Sequence, residues 1–235
     1  MDRRLLIRIG SKLTLAICLA MLSLAANAQT NRKRADDAER HTSAAATVFK
    51  EIMAVPDKSI PKELIDKAEA IAVFPGTLKA AFVFGGRGGQ GVISRRTARG
   101  WSEPAFYNLG GGSFGLQIGA EKTDFVLLIM NEDGIKGLLK DKFEFGAEAG
   151  AAAGPVGRTA AATTNARLQA GILSYSRSKG AFVGVSLKGS FITPDNDLNE
   201  AFYGKKAADL LSNPSTNLNE IPAPVRVFPQ TLARY

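Results

Sequence analysis

The sequence predicts an α+β fold: a mostly antiparallel, strongly curved or barrel-like β-sheet with N-terminal helices and short C-terminal helices. Three observations predict it. Ala45, Val48, Phe49, Ile52 and Met53 recur at the spacing of one apolar helical face. Beyond residue 70, short β-branched and aromatic runs follow one another, separated by Gly, Pro and polar breaks. Glycine also occurs inside those runs, which suits bends, bulges or close backbone packing at barrel corners.

The chain opens with an export signal. Arg3, Arg4, Arg8 and Lys12 form a basic region, residues 13–24 an apolar core too short to span a bilayer, and Ala26-Asn27-Ala28 a cleavage site. Cleavage after Ala28 leaves residues 29–235 for the periplasm or the exterior. Lipoprotein processing at Cys18 is the rival, disfavoured by bulky Ile17 where a small residue is wanted. If Cys18 leaves with the signal, the mature chain has no cysteine, hence no disulfide and no thiol chemistry.

A helical segment occupies 29–67. Its first helix covers about 35–55 and stops at Pro56; a second, shorter one starts at Ile60-Pro61, with proline in its first turn, and runs to Ala68. A β-rich domain follows over 68–210. Strands are expected at 72–74, 80–84, 91–95, 104–108, 114–119 and 124–130, then at 142–145, 171–175 and 181–187. Residues 134–140 predict a short helix with Ile135, Leu138 and Leu139 inward. Two brief helices are expected at 199–203, stopped by Gly204, and at 207–211. Residues 149–167, rich in Ala, Gly and Thr, fit either a strand pair or a helix. The tail over 211–235, with Pro214, Pro222, Pro224 and Pro229, is expected to be extended.

Charge is distributed in blocks. The whole chain carries +8, and loss of the signal lowers this to +5. Between Ala70 and Ser102 there is no acid, while Lys79, Arg87, Arg95, Arg96 and Arg99 are present. Between Ala149 and Pro194 acids are again absent, while Arg158, Arg167, Arg177, Lys179 and Lys188 remain. If folding brings these blocks together, they concentrate positive potential on one face; otherwise they are a scattered solvated surface. No nucleic-acid motif accompanies them.

Reactive constellations fail on context. Gly86-x-Gly88-x-x-Gly91 and Gly110-x-Gly112-x-x-Gly115 spell a dinucleotide fingerprint, but strand-like sequence follows each where a helix is required. Both read as glycine turns. Gly111-x-Ser113-x-Gly115 resembles a nucleophile elbow, yet the single histidine, His41, lies far upstream. Ser176-x-x-Lys179 sits between two strands without the companion motifs of serine–lysine enzymes. Asp195, Asp197 and Asn199 begin a calcium-loop spacing that Glu200 and Lys206 break, so an Asp capping the next helix is the expectation. No metal, no cofactor and no enzymatic activity are expected.

Five segments in succession carry a family resemblance: AIAVFPG (70–76), GGRGGQGV (85–92), WSEPAFYNLGGGSFGLQIGAEKTDFVLLIMN (101–131), AAAGPVGR (151–158) and YSRSKGAFVGVSLKG (175–189). From about Ala68 to Gly204 the chain resembles the SYLF lipid-binding domain family, which includes yeast actin-patch proteins and exported bacterial members. The resemblance implies phospholipid binding. It makes Arg177 and Lys179 the preferred head-group contacts, followed by Arg87, Arg95, Arg96 and Arg158. It also raises the option that the N-terminal helix lies in a lipid interface through Phe49, Ile52 and Met53, against the reading that this face covers the sheet. The expected function is peripheral binding of anionic phospholipid. The alternative is an envelope protein whose basic face binds a protein partner or an acidic polymer.

Overall fold

The computed structural model describes residues 32–55, 59–81, 85–113, 119–146, 151–157, 170–215 and 217–235. The expected export signal, Cys18, Arg158, most of the strand expected at 114–119 and the last residues of that at 80–84 lie outside them.

Ten strands form one sheet: β1 (Ala70–Ala81), β2 (Gly85–Thr97), β3 (Gly100–Trp101), β4 (Ala105–Ser113), β5 (Gly119–Ile129), β6 (Phe143–Glu144), β7 (Ala151–Ala153), β8 (Ile172–Ser178), β9 (Ala181–Gly184) and β10 (Ser190–Pro194). The order is β6-β10-β4-β2-β1-β5-β8-β7, with β3 beside β2 and β9 beside β8. Every pairing is antiparallel except β7 with β8. The sheet is strongly curled, a half-barrel, as the Gly-rich strands predicted.

Alternation along the strands sorts side chains onto two faces. Ile71, Val73, Val92, Phe106, Val126, Leu128 and Leu173 point to the outer face. That face is covered by α1 (32–53), α2 (Lys62–Lys67) and the C-terminal segment. Ala72, Phe74, Ile93, Tyr107, Leu127 and Ile129 point to the inner face. They pack on α3 (Glu132–Leu138), on the β6 and β10 side chains Phe143 and Ile192, and on α5 (Ala207–Ser212). Between these two helices, α4 (Asn196–Tyr203) is capped at its start by Asp195, whose carboxylate accepts from Leu198 N at 3.1 Å. It ends at Gly204 in the left-handed region, φ 68°.

Several expectations need correction. Residues 211–235 are not extended. After α5 they form two short 3₁₀ turns and α6 (Val227–Leu232), and Ile221, Val225, Phe228 and Leu232 are buried against the outer face. Pro229 fits because it stands in the first turn of α6, where its missing N–H is no loss. The glycines at 86–91 and 110–112 are not turns but strand residues of β2 and β4. At Gly91 the reason is contact: a Cβ would overlap the Val73 carbonyl oxygen and lie 2.5 Å from Phe74 Cδ1. The strand β10 was missed altogether. The α1 face with Phe49 and Ile52 is 0% and 1% exposed and belongs to the core, with Met53 packed beside it. These side chains cover the sheet and are not available for insertion while α1 stays seated.

Among the described residues, no helix is long and apolar enough to cross a membrane.

Candidate functional site

The structure distributes the sequence-predicted cations over both faces of the sheet and does not assemble them into one patch. Arg95 and Arg96 are neighbours in β2, so the two-residue period sends them to opposite faces. Arg95 reaches Leu211 O at 2.7 Å and Glu132 at 2.9 Å, tying β2 to α5 and α3. Arg96 donates to Ile65 O (2.5 Å) and Ala68 O (2.9 Å), the carbonyls at the end of α2, and stacks 4.3 Å over Trp101. Burial pulls its guanidinium below the usual arginine value, opposed by Asp66 and Glu69.

Arg177, on the outer face of β8, is an ionic clamp. It holds Asp124 of β5 through Nε (3.0 Å) and Nη2 (2.8 Å), and Glu51 of α1 through Nη1 (2.5 Å). Burial alone would lower its pKa; the bonds and charges of Asp124 and Glu51 raise it overall. The other Asp124 oxygen accepts from Gly76 N at 2.7 Å, at the irregularity in β1. Lys179 is exposed in the two-residue β8–β9 turn, with φ 48°, followed by Gly180 at φ 80°, as a tight hairpin requires.

Arg87 is different. It projects from β2 on the inner face, half-buried, and lies 5.8 Å from the centroid of the Phe125 ring. It makes no hydrogen bond and no ion pair among the described residues, and its Nε is sealed from solvent without an acceptor. Burial lowers its pKa. Its row across the sheet runs Glu121 (β5), Lys79 (β1), Arg87 (β2), Gly111 (β4), Ser190 (β10). Ser190 Oγ, next but one to it across the bare backbone of Gly111, is likewise buried without a partner.

Arg87 opens into a cleft of about 280 Å³ with Glu121, Thr77, Thr123, Ser176 and Ser178 among its walls. Phe125 and Val185 add apolar surface. Ser178 Oγ donates to Glu121 Oε1. The volume lies just below the range of ~300–1,000 Å³ for small-molecule pockets, which leaves room for a head group and not for acyl chains. Val183, in register with the wall residue Ser176, is 49% exposed. Sequence reasoning singled out Arg87 but missed the hydroxyl wall. Its only signal was polar residues at every second position, 121 and 123 in β5 and 174, 176 and 178 in β8, within otherwise apolar strands.

Ser113 ends a strand. Asn199, the third residue of the calcium-like spacing, is buried: its side chain accepts from Phe106 N and donates to Phe106 O, both at 2.9 Å. No group of metal-ligating side chains occurs among the described residues.

A family model described as "Ysc84: Las17-binding protein actin regulator" matches residues 110–235, more than half of the chain. The chain belongs to this Ysc84/SYLF family. It is similar to LAS seventeen-binding protein 3 of Saccharomyces cerevisiae, 38% identical over 152 residues, which cover 63% of this chain and 33% of that protein. It is also similar to SH3 domain-containing YSC84-like protein 1 of Xenopus laevis, 33% identical over 168 residues (68% and 50% of the two chains). The human protein of the same name is 33% identical over 160 residues (66% and 46%). The chain thus spans a third to a half of these relatives. The matched family segment contains the β5 and β8 walls of the cleft; Thr77 and Arg87 lie ahead of it.

Proposed function

We propose that this SYLF-family protein is a non-enzymatic, exported protein that binds anionic phospholipid peripherally, with the Arg87 cleft as the head-group contact. The observation that carries this reading is Arg87 itself: a half-buried guanidinium facing an open cleft, with no ion pair among the described residues. Arginine is the side chain suited to phosphate because its planar fork offers paired donors. The other described arginines proposed from the sequence, Arg95, Arg96 and Arg177, are engaged by carboxylates or backbone carbonyls, so they contribute less than their number suggests. Lys179 and Lys188, both exposed, add long-range attraction of ~1 kcal/mol each near an anionic leaflet. Exposed Val183, paired with Ser176, supplies limited apolar contact in place of the buried α1 face.

A second reading, contact with a protein partner, is favoured by the relative named for binding Las17. Vesicle flotation separates the two. Recovery that rises with the mole fraction of phosphatidylglycerol and falls with added salt supports lipid binding. Equal recovery on pure phosphatidylcholine and on anionic vesicles would turn the assignment to a partner.

A further inference from the structure

Resting on that lipid-binding reading, we propose that the cleft selects a phosphodiester head group that carries its own hydrogen-bond donor, with the phosphate on Arg87 and the donor on Glu121. Two strand spacings, ~10 Å, separate the backbones of these residues in their common row. Both side chains line the cleft, yet they form no ion pair with each other. Lys79 holds the row position between them, so the row carries two cations and one carboxylate for a ligand that brings both an anion and a donor. Glu121 accepts from Ser178 with one oxygen, and an ionised carboxylate has about four lone-pair sites, so acceptor capacity remains for an incoming donor.

This arrangement discriminates by chemistry. A fully ionised phosphate monoester brings a second negative charge and no donor, and is repelled by Glu121. A choline head brings a cation with no N–H or O–H to donate. Glycerol hydroxyls and an ethanolamine ammonium both satisfy the carboxylate while their phosphate, carrying one charge, meets Arg87. The hydroxyls of Thr123 and Ser176 are placed along the walls to hydrogen-bond the remaining phosphate oxygens. Coulomb attraction alone gives the reverse order, because a cationic surface prefers the more highly charged phosphatidic acid.

The test uses the mature chain and phosphatidylcholine vesicles containing an equal mole fraction of phosphatidylglycerol, phosphatidylethanolamine or phosphatidic acid, with pure phosphatidylcholine as the fourth arm. Wild type is expected to bind phosphatidylglycerol at least threefold better than phosphatidic acid; the ethanolamine arm tells whether ammonium serves as well as hydroxyl. Glu121→Gln is expected to shift the ratio about fivefold toward phosphatidic acid. Arg87→Gln is expected to lower phosphatidylglycerol binding about tenfold with an unchanged circular dichroism spectrum, and Arg87→Lys to fall between. Phosphatidic acid binding as well as phosphatidylglycerol, or pure phosphatidylcholine matching it, overturns the proposal, as does an unchanged ratio in Glu121→Gln. Salt-sensitive binding of phosphatidylglycerol that both variants retain in full would sink only the cleft assignment. No binding to any vesicle would remove the lipid reading and this inference together.

Discussion

Replacing Arg87 by methionine is expected to stabilise the free protein while weakening its binding to anionic vesicles. The magnitude follows from the surroundings. Arg87 Nε is sealed from solvent with no acceptor, and an unmet buried donor costs ~1–3 kcal/mol. Against this stands the contact with Phe125, at 5.8 Å near the outer limit of a cation–π pair and worth about 0.5 kcal/mol. Methionine keeps most of the stem's apolar contact and asks for no hydrogen bond. Taking the lower part of the range, because the head of the side chain is open to the cleft, the net gain is about 1 kcal/mol. For a chain of this size that raises Tm by ~2–4 °C. Differential scanning fluorimetry without lipid reads the first effect and vesicle flotation the second. A variant less stable than wild type would show that Arg87 is a structural residue, and one equally stable and still lipid-binding that it is neither strained nor a lipid contact; either result refutes the reasoning.

Three further outcomes are expected. Arg177→Ala should cost about 2 kcal/mol in urea denaturation, between an exposed pair (~0–1) and a buried one (~3–5), because Arg177 and Asp124 are 22% and 18% exposed. Glu51→Ala, whose carboxylate is 53% exposed, should cost under about 1 kcal/mol; equal losses would contradict the clamp geometry. Gly91→Ala should destabilise by about 2–3 kcal/mol through overlap with Val73 and Phe74, whereas Gly88→Ala, where a Cβ meets nothing within 4 Å, should be neutral or slightly stabilising; similar values for both would argue against close packing at Gly91. His41 has its pKa lowered by burial and then by Arg40, so the unfolded chain binds its proton more readily. Stability should therefore fall as pH drops from about 6.5 through the folded value, and His41→Gln should flatten that slope; an imidazole titrating above 6.5 by NMR would reverse the sign.

Much of the architecture was legible because local chemistry and tertiary context agreed. The apolar stripe of α1, the cap at Asp195 and the stop at Gly204 are decided within a few residues of themselves. What escaped depends on partners remote in sequence. The run Phe191-Ile192-Thr193 is too short to announce a strand, and becomes β10 only because β4 offers it an edge. Residues 86–91 look like a loop until the neighbours of Gly91 are known: its strand tolerates glycine because another backbone needs that space. The prolines of the C-terminal segment suggest an extended chain, but Phe228 and Leu232, four residues apart, find the outer face of the sheet and fold the segment onto it.

The charge blocks show why a site is harder to read than a fold. In the sequence, acid-free and acid-rich stretches look like opposite surfaces in the making. In the structure they supply each other's counterions: Arg177 meets Glu51 and Asp124, and Arg95 meets Glu132. Segregation along the chain is therefore compatible with neutralisation in space, and a count of unopposed cations per segment overestimates the attractive face. The informative quantity is the remainder after pairing. Among the arginines proposed as head-group contacts and described in the structure, that remainder is Arg87. It is the member whose row neighbour on β4 is a glycine with no side chain and whose own guanidinium pairs with no carboxylate among the described residues. A cation kept half-buried without a partner lowers the stability of the free protein, so its presence at the mouth of a hydroxyl-lined cleft is best accounted for by an anion that arrives from outside.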